Sequence, residues 1–188
     1  MEVAEAIHAR RAKRAIQDRP VEDDKIDALV EAARLSASCN NNQPWRIVIC
    51  RGEEALASIK GALPRGNGWA TRAPVIMVVS ARPADDCQLP DGRDYFLFST
   101  GLAIGQLELR ATELGLIAHP IAGFDPIKAK AILGIPDDHV VITFVIIGYP
   151  GGDDSLLSDK QKASEMTRPD RKPVGENFFI DKWGAPYR

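Results

Sequence analysis

Cysteine is scarce in this chain of 188 residues, with three in all. Cys39, Cys50 and Cys87 show no paired C-x-x-C spacing, which argues against a disulfide framework and against a zinc site. The histidines, His8, His119 and His139, are scattered, with no i,i+4 pair and no acidic cluster at ligand spacing, so no metal centre is expected. Long apolar runs are also missing. The longest, Val140 to Gly148, is interrupted by Thr143 and falls far short of the ~20 apolar residues of a membrane span. Met1 to Ile7 lacks the apolar core and cleavage site of a signal peptide, and a reducing cytoplasm is the expected compartment. Neither charge dominates: 24 Lys and Arg stand against 26 Asp and Glu, a net charge of −2. Such a balance leaves no global footprint for nucleic acid or an anionic membrane. No G-x-x-x-x-G-K-[ST] loop and no G-x-G-x-x-G after a strand occurs, since Gly66-Asn67-Gly68 precedes its strand. There is no G-x-S-x-G elbow, and Cys39 has no evident histidine partner. No residue is therefore assigned to covalent or metal catalysis.

What is present is an ordinary globular mixture, 45% hydrophobic and 27% charged. At roughly 150 residues per domain, one domain over 1–188 is the expectation. The spacing predicts short and long helices at 2–9, 24–35 (capped by Asp23 or Asp24), 53–63, 95–114 and 126–133. Strands are expected at 46–51, 74–80 and 140–149. The run Pro74–Ser80 reads as buried on both faces, and the helix from Tyr95 as buried almost all round. Gly101 and Gly105 share one face of that helix. Their spacing leaves open a tight crossing within the monomer or a contact between subunits. Residues 150–188 are polar, proline-bearing and aperiodic. Phe178, Phe179, Ile180 and Trp183 favour a tail that wraps another surface.

Two segments can carry recognition. Arg10-Arg11-Ala12-Lys13-Arg14 is the densest cationic cluster, and arginine's planar fork suits bidentate contact with phosphate. A solvated helix face is its bland alternative. No aromatic residue lies between 8 and 44 to interleave with the charges, as single-stranded nucleic acid would want. Ser36 to Gln43 is a polar loop offering hydroxyl, thiol and amide groups.

Together, Ile7 to Ile16 and Ser38-Cys39-Asn40-Asn41-Asn42-Gln43-Pro44-Trp45 resemble the opening signature of the nitroreductase family of FMN-dependent oxidoreductases. Gly115-Leu116, Pro120 to Asp125, Leu133 to Pro136, Ile147 to Pro150 and Arg171 to Val174 continue the resemblance in order over nearly the whole chain. It implies an α+β fold, a mixed, mostly antiparallel central sheet flanked by helices. It also implies a homodimer with two FMN sites at the interface, the 150–188 tail extending over the partner.

By that resemblance Arg10, Arg11 and Arg14, with Ala12 where the family often has Ser, hold the phosphate and polar end of FMN. Arg171, with Arg168 or Lys172, closes on the phosphate. Ser38, Cys39 and Asn41 reach across from the other subunit, Cys39 acting as a Ser-sized substitute. Asn67 bonds the flavin's pyrimidine edge. Pro120, Ile121 and Gly123 lie against the ring, and Ala122 takes a place that is acidic in some members. The implied activity is ping-pong hydride transfer from NADH or NADPH through FMN to a nitro-aromatic, quinone-like or other conjugated electrophile. The cofactor supplies the chemistry and no protein acid or base is obligatory. A flavin-binding or storage module without turnover is the alternative.

Overall fold

The apolar stretches that read as strands pair into one sheet. The computed structural model describes residues 1–187. Strands β1 (Trp45–Cys50), β2 (Val75–Ala81), β3 (Ile117–Ile121) and β4 (Val140–Gly148) lie in the order β1-β2-β4-β3. The sheet, expected to be mixed and mostly antiparallel, is antiparallel at all three of its described pairings. β2 is buried along its whole length. Ile76 and Val78 join one core with Phe144 and Ile146, whereas Val75, Met77 and Val79 join a second with Val145 and Ile147. Period-two alternation thus feeds two cores, and each large aliphatic side chain buried here contributes about 1.5–3 kcal/mol.

Helices close both faces: α1 (Val3–Ala9), α2 (Asp23–Arg34), α3 (Glu53–Lys60), α4 (Tyr95–Glu113), α5 (Pro126–Leu133), α6 (Asp159–Met166) and α7 (Val174–Asn177). The first core takes Ile59 of α3 and Ala129 of α5, and the second takes Leu29 of α2 and Leu107 of α4. Sequence punctuation sets α5. Asp125 accepts the Lys128 amide at 2.9 Å, Pro126 starts the helix, and Gly134 ends it at φ 65°.

Several expectations need correction. The N-cap of α2 is Glu22, not Asp23 or Asp24; those two occupy the first turn, where their charge meets the positive end of the helix dipole. Glu22 accepts a short hydrogen bond from the Tyr149 hydroxyl instead of bonding the helix amides. Helix α4 is not buried all round: Leu97, Phe98 and Leu102 remain exposed, Phe98 by 57%. A Cβ at Gly101 or Gly105 would meet nothing within 4 Å, so the tight crossing within the monomer is absent. β3 and α6 were not anticipated at all. Pro120 lies in β3, which is tolerated because β3 is an edge strand. α6 is polar, but Ser158 and Gln161 form a reciprocal capping box at its start. Finally, Cys39 and Cys87 form a disulfide with Cα atoms 6.0 Å apart, so Cys39 is not a free Ser-like side chain.

Beyond β4 the chain returns to the N-terminal segment. Gln17 N donates to Tyr149 O at 2.9 Å and Gly151 N to Ala15 O at 3.1 Å. The approach is close enough that a Cβ on Gly152 would collide with the Ile16 carbonyl. This seam holds Ala15 and Ile16, both members of the first core, directly after residues 10–14.

Candidate functional site

The basic segment 10–14 has no regular structure of its own. α1 ends at Ala9, where the Arg10 amide donates to Ala6 O. Its shape is imposed by α6. Glu165 accepts the Arg14 amide at 2.8 Å and the Ala15 amide at 3.4 Å. Arg11 Nη2 donates to the Ser164 carbonyl at 2.8 Å, and Arg14 Nη1 reaches Ser164 Oγ at 3.5 Å. Arg168 then donates to the carbonyls of His8 and Arg10, the latter at 2.7 Å. Ser164 and Glu165 were missed by sequence reasoning; the capping box that starts α6 is the signal that could have found them.

The outcome is a cavity of about 180 Å³ lined by Arg10, Arg11, Ala12, Arg14, Arg168 and Arg171 with Ser164 and Pro169. Of the residues expected at the phosphate end, Arg10, Arg11, Ala12, Arg14, Arg168 and Arg171 are brought together here, whereas Lys172 does not line the cavity. Arg10 is partly neutralised by Glu108, 3.4 Å away. Burial pushes the Glu108 carboxyl above its ordinary range, against the opposing pull of Arg10. Arg11, Arg14, Arg168 and Arg171 make no ion pair among the described residues. Four guanidinium groups converging without carboxylate partners repel one another, and an anion relieves that repulsion.

A second group of expected residues gathers at the end of β3. Asn67 Nδ2 donates to the Gly123 carbonyl at 2.8 Å, and Trp69 Nε1 donates to Asn67 Oδ1 at 3.2 Å. A Cβ at Gly123 would stand 2.7 Å from Asn67 Nδ2, so glycine permits this contact. Ile121 is buried and Pro120 half-buried. The two groups are linked through the core. The Arg14 guanidinium lies 5.9 Å from the Trp69 ring centroid, and the Trp69 and His119 rings are 4.9 Å apart. His119, 7% exposed, has Nδ1 2.9 Å from Lys13 O, the arrangement of an N–H donating to a carbonyl. Burial lowers its pKa to about 4, with Arg14 and Arg10 adding repulsion, so the ring is neutral near pH 7.

Ser38, Cys39 and Asn41 stand apart from both groups. Ser38 Oγ accepts the Gln43 amide at 3.0 Å, and the Cys39 amide donates to Ser99 Oγ at 3.4 Å. Asn40, Asn41 and Gln43 adopt φ of 48°, 58° and 48°. Left-handed backbone costs a non-glycine residue about 1–2 kcal/mol, asparagine somewhat less, so this loop needs external support. It receives that support from Cys87 and Asp86. Cys39, Asp86 and Cys87 offer ligand atoms within 4.8 Å of one another, but the two sulfurs are bonded to each other. Sequence reasoning missed Asp86 and Cys87, which lie in a surface stretch with no local signal.

An antiparallel sheet with helices packed on its two cores, and an arginine-lined cavity beside it, defines an α+β protein. The chain belongs to the nitroreductase family, whose model matches residues 7–67 and 62–149. A protein of Mycolicibacterium smegmatis, named only as an uncharacterized 15.4 kDa protein, is 33% identical over 71% of this chain and 88% of its own length. An Archaeoglobus fulgidus protein, provisionally named NADH dehydrogenase/NAD(P)H nitroreductase, is 28% identical over 90% of this chain and 95% of its own. Among solved structures, an oxidoreductase containing FMN superposes with a TM-score of 0.84 at 26% identity, covering 98% of this chain and 94% of that one.

Proposed function

We propose that residues 1–188 act as one unit, and that two copies form a homodimer holding FMN and passing hydride from NADH or NADPH to a small conjugated electrophile. Family membership carries the coarse statement, an FMN-dependent NAD(P)H oxidoreductase. The observation that carries the site is the cavity lined by Arg11, Arg14, Arg168 and Arg171, none of which makes an ion pair among the described residues. Its lining fits a phosphate dianion. Its volume, about 180 Å³, lies below the roughly 300–1,000 Å³ of a whole small-molecule site. The rest of the ligand must therefore lie on other surfaces, one of them Asn67 with Pro120, Ile121 and Gly123.

The dimer reading rests on what one chain leaves uncovered. Leu97, Phe98 and Leu102 of α4 are exposed beside Gly101 and Gly105, and Phe178, Ile180 and Trp183 of the tail are exposed, Trp183 by 91%. Apolar area of this kind marks an interaction surface. A partner seated there would supply the separately placed Ser38, Cys39 and Asn41.

When bound, FMN supplies the ring that accepts and donates hydride. The chain's own residues orient it. The arginines fix the phosphate end, Asn67 is held in place by Trp69 and Gly123, and the neutral His119 supports the backbone of Lys13 beside the pocket. With FMN held there, nicotinamide and electrophile would use the site in turn, which would give ping-pong kinetics. Nitro-aromatic and quinone-like compounds are the substrate class. The cytoplasm is the proposed compartment; as a separate fact, among the described residues no helix is long and apolar enough to cross a membrane.

The test is anaerobic. Purified protein should bind FMN with a flavin absorbance spectrum, and the colour should bleach on adding NADH or NADPH and return with a quinone. Protein that takes up no FMN refutes the reading, and FMN uptake without bleaching identifies a storage module.

A further inference from the structure

Cys39 and Cys87 are joined across 48 residues with their Cα atoms 6.0 Å apart. That separation lies inside the range a disulfide spans without backbone movement. Both residues are half-buried, so small thiols can reach them, whereas Cys50 is fully buried and its thiol is pushed up by burial. The chain therefore holds one reachable pair and one shielded cysteine.

The bond is the covalent tie between loop 38–43 and the segment at Asp86 and Cys87, which otherwise meet through side-chain hydrogen bonds. Loop 38–43 carries the three left-handed residues Asn40, Asn41 and Gln43. Its other polar ties outward include Arg46 Nη1 to the Gln43 carbonyl at 3.0 Å, Asn42 Nδ2 to Asp86 at 3.2 Å, Cys39 N to Ser99 at 3.4 Å, and the weak approaches of Asn40 and Asn42 amides to Cys87 Sγ at 3.6 and 3.8 Å. Asp86 is 5% exposed. One carboxylate oxygen accepts the Cys87 amide at 2.8 Å, and the other is buried with no partner. The two sulfurs and the Asp86 carboxyl lie within 4.8 Å of one another, so Asp86 marks the place to which the reduced sulfurs must return to close the bond.

We propose that Cys39 and Cys87 form a reversible thiol–disulfide switch that controls the 38–43 loop. Oxidised, the pair holds the loop in the shape that presents Ser38 and Asn41; reduced, the loop is released and FMN is held less tightly. The second consequence rests on the flavin reading above, while the first does not. Both steps balance. A peroxide oxidises the pair: one thiolate attacks the O–O bond to give a sulfenic acid and hydroxide, and the second thiol displaces water to close the disulfide. A dithiol reverses this through a mixed disulfide, leaving as its own cyclic disulfide and returning two electrons and two protons to Cys39 and Cys87. In a reducing compartment such a pair cycles rather than persists.

The experiment compares the full chain after hydrogen peroxide with the same chain after dithiothreitol, both freed of reagent anaerobically. Thiol titration in denaturant should count one thiol in the first and three in the second. Hydrogen exchange of residues 38–43 in the FMN-free protein should be faster after reduction. FMN fluorescence quenching should show Kd raised by about 5- to 10-fold, the scale expected for re-ordering the backbone of about one residue. Cys87→Ser should match the reduced protein under both treatments, and Cys50→Ser should still switch. Three thiols after peroxide, or equal exchange in the two states, overturns the switch. Faster exchange with equal FMN affinity overturns its link to the cofactor. Faster exchange with no FMN binding in either state leaves the switch standing and removes the flavin reading instead.

Discussion

The Glu165 carboxylate accepts the backbone amide of Arg14 at 2.8 Å, joining a tail helix to the basic segment 151 residues earlier. Because Glu165 also takes the Ala15 amide, it holds backbone on which guanidinium groups are mounted. Glu165→Ala should leave the sheet intact by circular dichroism while weakening FMN binding about tenfold. That corresponds to about 1–2 kcal/mol, the lower part of the range for hydrogen bonds to a charged group, since the site is partly solvated. Unchanged affinity in a fluorescence titration would show that α6 does not shape the pocket.

Arg14→Ala removes one of the four unpaired guanidinium groups and the cation above Trp69. FMN affinity should drop by about 10- to 100-fold, and riboflavin, which lacks the phosphate, should be affected far less. An equal loss for both ligands would place the arginines elsewhere on the cofactor.

His119 gives a pH signature whose sign is fixed. Its folded pKa is about 4, lowered from an ordinary 6.5. The unfolded chain therefore binds the proton first. Stability is complete above about pH 6.5 and falls as the pH drops toward 4, by up to about 3 kcal/mol from this residue. His119→Gln should melt at a lower temperature at pH 8 but lose less stability than wild type between pH 6.5 and 4. Parallel acid limbs in the two proteins would contradict this.

Gly101 separates a free α4 face from a covered one. A side chain there meets nothing within the protomer, so in a monomer Gly101→Ala should stabilise by up to about 1 kcal/mol. In the proposed dimer, Gly101→Leu should instead lower the association constant by at least about tenfold in sedimentation equilibrium, as overpacking of a close contact does. A dimer that tolerates Leu at this position has its interface elsewhere.

The parts of this fold legible beforehand are those with local signals. Asp125, Pro126 and Gly134 punctuate α5, and the unbroken apolar run of β2 announces burial on both faces. Pro120 hid β3, since a proline reads as a loop unless the strand is known to be an edge. The polarity of α6 hid its helix, though Ser158 and Gln161 marked its start. The basic cluster was visible, but its meeting with Arg168 and Arg171 was implied only by family resemblance, because nothing local records a contact across more than 150 residues. The same holds for Cys39 and Cys87, whose spacing of 48 carries no information about distance.

Arg168 bonds two carbonyls of the N-terminal segment while lying wholly outside the sheet and its two cores. Removing everything after Met166 should thus yield a polypeptide that still folds yet presents a cradle open on one side. Arg168 and Arg171 thus sit in a stretch that the sheet and its cores do not include, and natural variation there can retune the proposed cradle at little expense to the fold.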